Sequence, residues 1–275
     1  MSQLFKLEVK NTSGSTMATF ENFSNDPINF VKDGINRNDP TVIGVLVGVA
    51  VVIFTIILLA ILRGGRNTRR GLLLVGLCDS GKTLLFSRLV YKAFKNTHTS
   101  INVNDGSYTV PTEKGGVLNI LDVPGHERIR PQLVDKYKDT ARAIVFMVDS
   151  LTFSKELKDV AECLYNLLTD KVISSNRTPI VVACNKQDIT MAKGSKVIKS
   201  QLEKEMNKVR VSRSAALQGQ DNSSNSVVFL GKKNKEFEFS DLKGLKVEFV
   251  ECSCKGLEDS DGDLKELYEW IEKIA

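Results

Sequence analysis

The octapeptide Gly76-Leu77-Cys78-Asp79-Ser80-Gly81-Lys82-Thr83 constrains the fold of this chain more than any other feature. It fits G-x-x-x-x-G-K-[ST], a pattern that works only as the turn between a buried strand and a helix. Both neighbours are present. Gly71 to Gly76 (GLLLVG) is a short apolar run ending in glycine, and residues 82–94 carry Leu84, Leu85, Leu89 and Val90 at helical spacing. In such a turn the glycines let backbone N–H groups approach phosphate oxygens, and the following helix directs its positive end at them. Lys82 would reach the β- and γ-phosphates, and the Thr83 hydroxyl would ligate Mg²⁺.

The chain beyond residue 70 keeps alternating in this way. Strand-like runs at 106–110 and 117–122 flank a turn containing proline and glycine. Ala143–Val148, Ile180–Cys184 and Val247–Cys252 follow, each with a helix-compatible stretch behind it. The closing segment 263–274 sets Leu264, Leu267, Trp270, Ile271 and Ile274 on one face. Six strands alternating with helices predict an α/β fold, a doubly wound and mostly parallel sheet. Residues 196–217 are lysine-rich and helix-compatible, and 218–226 (QGQDNSSNS) read as a mobile surface loop.

Three further motifs stand at the C-terminal ends of predicted strands, where ligands bind in open α/β sheets. Asp122-Val123-Pro124-Gly125 offers a carboxylate that would hold Mg²⁺ through a water and a Gly125 amide that would sense the γ-phosphate. In Asn185-Lys186-Gln187-Asp188, the Asp188 carboxylate would accept from the N1–H and exocyclic amine of guanine. Adenine lacks that pair of donors and would leave a desolvated carboxylate unmatched. A backbone N–H of Ser253-Cys254-Lys255, with Cys254 the first choice, would donate to guanine O6. The four motifs occur in the order and spacing of a G domain of the P-loop NTPase fold, so the expected ligand is GTP with Mg²⁺.

Upstream, Thr41 to Leu62 carries no charged residue. As a helix rising about 1.5 Å per residue it would reach about 33 Å, enough to cross a bilayer core of about 30 Å. A cleavable signal peptide would start nearer residue 1 with a shorter apolar core, and a buried core helix is rarely apolar on all sides. Arg63, Arg66, Arg69 and Arg70 follow this run, while Lys32 and Arg37 precede it beside Asp33 and Asp39. The positive flank faces the cytosol. The expected organisation is a lumenal segment 1–40, a transmembrane helix 41–62, a basic linker 63–70 and a cytosolic GTP-binding domain 71–275. Asn11-Thr12-Ser13 and Asn22-Phe23-Ser24 would then be glycosylation sequons on the lumenal side.

A net charge of +5, without a basic stripe interleaved with aromatics, gives no reason to expect direct nucleic-acid binding. The five cysteines match no zinc spacing and suit packing in a reducing compartment.

GLCDSGKT (76–83), HTSI (98–101), DVPGHE (122–127), ARAIVFMVDS (141–150), NKQD (185–188), VEFVECSCKG (247–256) and EWIEKIA (269–275) together resemble the family of signal recognition particle receptor beta subunits. The likeness covers most of residues 71–275. It is less specific against the related Arf and Sar1 GTPases, but this chain begins Met1-Ser2 and lacks the glycine that an Arf-type myristoyl anchor needs. The resemblance implies a subunit of the endoplasmic reticulum membrane that docks the receptor alpha subunit in a GTP-dependent heterodimer. Signal recognition particle and ribosome would be met indirectly. By position, Thr99 would be the switch threonine closing on Mg²⁺ beside Thr83, with Thr97 and Thr109 as rivals. His126 stands where many G domains carry a water-orienting glutamine, or is a partly exposed loop side chain. The phosphate loop brings Asp79, Ser80 and Leu84 to the nucleotide along with Cys78, which stands where many small GTPases have glycine. With no arginine finger evident in cis, turnover is expected to be slow. The alternatives are a hydrolysing Arf/Sar1-like switch in vesicle traffic and an inert anchor whose nucleotide is structural.

The topology is directly testable. Protease added to intact microsomes should digest residues 71–275 and spare the N-terminal segment, as read by antibodies against each end. Protection of the large domain would reverse the orientation.

Overall fold

The structure is a computed structural model that describes residues 40–63, 69–94, 102–111, 115–218, 230–232, 235–256 and 262–275. The chain falls into two units, residues 1–67 and 68–275.

In the first unit the described element is helix α1, Pro40–Arg63, of 24 residues. Ile43, Val45, Val47, Val49 and Phe54 are exposed along it. Among the described residues no helix is long and apolar enough to cross a membrane. The helix covers the expected segment 41–62.

The second unit is built on a six-stranded sheet of β1 (Gly71–Gly76), β2 (Asn104–Thr109), β3 (Val117–Asp122), β4 (Ala141–Asp149), β5 (Ile180–Asn185) and β6 (Val247–Glu251), in the order β2-β3-β1-β4-β5-β6. All neighbours are parallel except β2 and β3, which form an antiparallel pair. The central strands β1, β4 and β5 are almost wholly buried and read as continuous apolar runs, as parallel strands covered on both faces must. Helices α2 (Lys82–Tyr91) and α7 (Lys265–Ile274) cover one face around Leu85, Leu89, Leu267, Trp270 and Ile271. Helices α3 (Arg130–Tyr137), α4 (Phe153–Thr169) and α6 (Ser195–Gln218) cover the other around Phe146, Phe153, Leu164, Leu202 and Met206, with the short α5 (Lys171–Ser175) between them.

Local chemistry sets the element ends. The Asp170 carboxylate accepts from the N–H groups of Val172 and Ile173 at 2.8 and 3.1 Å and so starts α5. Lys92 turns left-handed at φ 53°, which stops α2 at Tyr91, short of the expected 94. The edge strand begins at Asn104 and ends at Thr109, not 106–110, because pairing with β3 decides its register (Asn104 with Asp122, Thr109 with Val117). An edge strand with a polar sequence, NDGSYT, has no apolar alternation from which that register could be read. In the lysine-rich segment, α6 buries Ile198, Leu202 and Met206. The buried Arg210 guanidinium donates to the carbonyls of Leu230, Lys232 and Lys235, tying the following segment back to the helix. The loop expected at 218–226 lies, beyond Gln218, outside the described residues.

Between β1 and β4 the chain's successive connections diverge to opposite sides of the sheet. That switch point leaves a crevice at the C-terminal strand ends, and all four nucleotide motifs border it.

Candidate nucleotide site

A cavity of about 380 Å³ opens at that crevice. Its wall includes Cys78, Asp79, Gly81, Lys82, Thr83 and Leu84 from the phosphate loop and the start of α2. Asp122 and Gly125 line it from the loop after β3, with Val123 and Pro124 beside them, and Asn185, Lys186, Asp188, Ile189 and Lys255 complete it. Residues far apart in sequence are thus brought together as the motif order implied. Gly76, Ser80, Ser253 and Cys254 lie behind this wall rather than on it, where they shape the loops. Thr99 and its rival Thr97 lie outside the described residues, and Thr109 is exposed on β2, away from the cavity.

The phosphate loop closes on itself. The Ser80 hydroxyl donates to the Leu77 carbonyl at 2.9 Å, and Lys82 Nζ donates to the same carbonyl at 2.6 Å. Burial pulls the Lys82 ammonium below its ordinary pKa, against the opposing attraction of Asp122. Gly81 holds φ +96°, and a Cβ there would lie 2.2 Å from Asn185 Nδ2. A side chain at Gly125 would sit 2.5 Å from the Cys78 nitrogen, so only glycine lets this loop lie on the phosphate loop.

On the metal side, the Thr83 hydroxyl donates to Asp122 Oδ2 at 2.8 Å and the Asn104 amide donates to the same oxygen at 2.9 Å. Asp122 is fully buried, and its Oδ1 is without a hydrogen-bond partner among the described residues. A buried, unmatched carboxylate oxygen is costly unless a cation or its water completes it, so the Thr83–Asp122 pair fits a hydrated Mg²⁺. No cluster of three or more His, Cys, Asp or Glu that could cage a metal occurs among the described residues.

On the base side, Asn185 Nδ2 donates to the Ser80 carbonyl at 2.9 Å while its Oδ1 accepts from the Cys254 N–H at 2.9 Å. The Cys254 N–H, expected at guanine O6, thus already has a protein acceptor. The Ser253 hydroxyl donates to Asp188 Oδ1 at 2.6 Å, which fixes the carboxylate that lines the cavity. Gln187 braces the same loop by donating to the Ser150 hydroxyl and the Lys193 carbonyl, each at 2.9 Å.

Lys186 takes a left-handed backbone (φ 69°) and pairs with Asp149 at 2.6 Å. Burial would raise the Asp149 carboxyl, but the Lys186 ammonium and the Leu151 N–H outweigh it and hold the group below its ordinary value.

His126 does not reach the cavity. It is exposed, and its Nδ1 accepts from the Arg128 N–H at 3.3 Å, a turn contact within its own loop. Sequence reasoning missed Asn104, Asp149, Arg88 and Arg130, the last donating from Nη1 to the Gly125 carbonyl at 2.8 Å. These residues carry no motif signature. The one available signal is that a charged residue stands near the end of an apolar strand, as Asp149 does after AIVFMV.

The family model for the signal recognition particle receptor beta subunit matches residues 67–247. The human signal recognition particle receptor subunit beta is 46% identical over 95% of this chain and 96% of its own length. The structure of the mammalian signal recognition particle receptor superposes with a TM-score of 0.65 at 49% identity, covering 75% of this chain and all of that one. A Chaetomium thermophilum SRb–GTP/SRX complex shares the fold at 20% identity, with a TM-score of 0.59 over 74% of this chain and 99% of its own.

The Asp149–Lys186 pair sets an acid limit. A carboxyl held below its ordinary pKa stabilises the fold above the unfolded value of about 4 and loses that contribution as pH falls through the folded value. Lys186→Met leaves burial unopposed by the ammonium and should move the acid-unfolding midpoint to higher pH, followed by Trp270 fluorescence. An unchanged midpoint would show that the pair does not govern this limit.

Proposed function

From the premise that the chain belongs to the signal recognition particle receptor beta subunit family, we propose that it is the GTP-binding, membrane-anchored subunit of such a receptor. In this reading it docks the receptor alpha subunit at the endoplasmic reticulum membrane during co-translational targeting. The observation that carries the reading is the cavity at the sheet's switch point, where the phosphate loop, Asp122 and Asp188 face one volume.

The chain's own residues account for most of the binding. The phosphate-loop amides and Lys82 hold the phosphates, and release of Lys82 Nζ from the Leu77 carbonyl frees it to do so. Thr83 and Asp122 would hold Mg²⁺, which neutralises phosphate charge when bound, and Thr99 is the proposed third contact. Asp188, braced by Ser253, reads the guanine N1–H and amine; Asn185 and Lys186 shape that wall. Gly125 lies against the phosphate loop, so a γ-phosphate arriving there would press on the loop that precedes α3. A docking surface that depends on the nucleotide follows from that contact.

The membrane role is supported by α1, whose sequence is uncharged from Thr41 to Leu62 and whose apolar side chains are exposed. The basic linker 63–70 supports a cytosolic face for the large unit, in accord with GTP being a cytosolic ligand. Ribosome and signal recognition particle would be met through the alpha subunit.

An exposed His126, bonded to its own turn, gives no positioned group to orient an attacking water. This favours a slowly hydrolysing, GTP-retaining subunit over a vesicle-traffic switch.

One experiment tests binding and docking together. Asp188→Asn exchanges an acceptor for an amide, which should weaken GTP by about 2 kcal/mol and favour xanthosine triphosphate. Detergent extracts should yield a co-purifying alpha subunit, by mass spectrometry, with a GTP analogue on the unaltered chain and with a xanthosine triphosphate analogue on the variant. Capture that ignores the nucleotide in both would leave an inert anchor.

A further inference from the structure

Arg88 lies on the second turn of α2, 8% exposed, and its side chain turns away from the phosphates toward the base side of the site. Its Nε donates to the Cys254 carbonyl at 3.1 Å and its Nη2 to the Lys255 carbonyl at 3.2 Å. Two consecutive peptide groups of the base loop are therefore pinned by one rigid, permanently charged fork.

The geometry of the peptide bond gives this pinning a consequence. In a trans peptide the C=O and the following N–H point in opposite directions. With the Cys254 carbonyl aimed at Arg88, the Lys255 N–H is aimed away from Arg88, and Lys255 lines the nucleotide cavity. The neighbouring N–H groups are already engaged inside the protein. Ser253 donates to the Asp263 carbonyl, Cys254 to Asn185 Oδ1 and Gly256 to the Ser253 hydroxyl. The Lys255 N–H is thus the loop donor that can meet a base carbonyl without surrendering one of these bonds.

We propose that Arg88 is a positioning residue for guanine recognition, orienting the Cys254–Lys255 peptide so that its N–H meets O6 of the bound base. This rests on the reading of the cavity as a guanine-nucleotide site. Arg88 touches no nucleotide itself and acts through the loop. It also joins the two ends of the site. The helix that carries it begins at Lys82 and Thr83 on the phosphate side, and its guanidinium lies 5.6 Å above the Phe94 ring, at the last described residue before segment 95–101.

The test uses the full-length chain in detergent and compares GTP with 6-thio-GTP, whose sulfur is a weak acceptor at the position of O6. The unaltered chain should prefer GTP. Arg88→Met should weaken GTP binding about tenfold or more, the scale of a lost charged hydrogen bond, and shrink the preference for GTP over 6-thio-GTP. Arg88→Lys, able to reach one carbonyl, should fall between the two. A residue that merely stabilises the fold would lower thermal stability and leave the preference intact, and that result overturns the proposal. If Arg88→Met does not fold, a preference in Arg88→Lys equal to that of the unaltered chain overturns it as well. Failure of the unaltered chain to bind GTP would instead sink the reading of the site, and the proposal with it.

Discussion

The Asn185 side-chain amide sits 3% exposed between two loops, donating to Ser80 and accepting from Cys254. Its partners lie 105 and 69 residues away in sequence, so this one group holds the phosphate loop and the base loop at a fixed separation. Both its donor and its acceptor are engaged out of water, where leaving either unmatched costs about 1–3 kcal/mol. The same contact requires glycine at 81, because the amide nitrogen occupies the space a Cβ would need. The remaining loops arrange themselves around this brace. Asp188 is set by Ser253, the base loop is backed by Arg88, and Lys186 is drawn to Asp149.

A sheet with this topology makes the brace possible. Strands β1, β4 and β5 are buried on both faces, and their apolar runs end abruptly in Gly76, Asp149 and Asn185. In β4 and β5 the change from apolar to polar at the C-terminal end transfers the chain from core to site within one residue. Core packing on both faces fixes the strand ends, and the strand ends fix the polar groups. Catalytic and binding residues on loops gain their precision from this kind of scaffold.

The residues that line the cavity were largely legible, because the motifs demand particular residue types at particular spacings. Lys82, Thr83, Asp122, Gly125, Asn185 and Asp188 all border or brace the cavity, and the motifs named them. His126 does not line the cavity. Position in a motif suggested a water-orienting role, but its side chain is engaged by Arg128 in its own turn. Helix and strand bodies were also legible, since buried parallel strands and amphipathic helices carry strong periodic signals. Element ends were less so. Lys92 ends α2 by a left-handed turn, and the start of β2 is decided by pairing with β3.

By itself the sequence determined the fold class and the four motifs that border the cavity, because each is written in local periodicity or in a fixed spacing. Only the tertiary structure decided which groups support those residues. Arg88 against Cys254 and Asn104 against Asp122 are pairs that no spacing rule links. Their partners are chosen by where the sheet order delivers them, and a hydrogen bond reaches only about 3 Å. Such contacts come into being when segments distant in sequence meet, which is why the motif residues could be read along the chain and their supports could not.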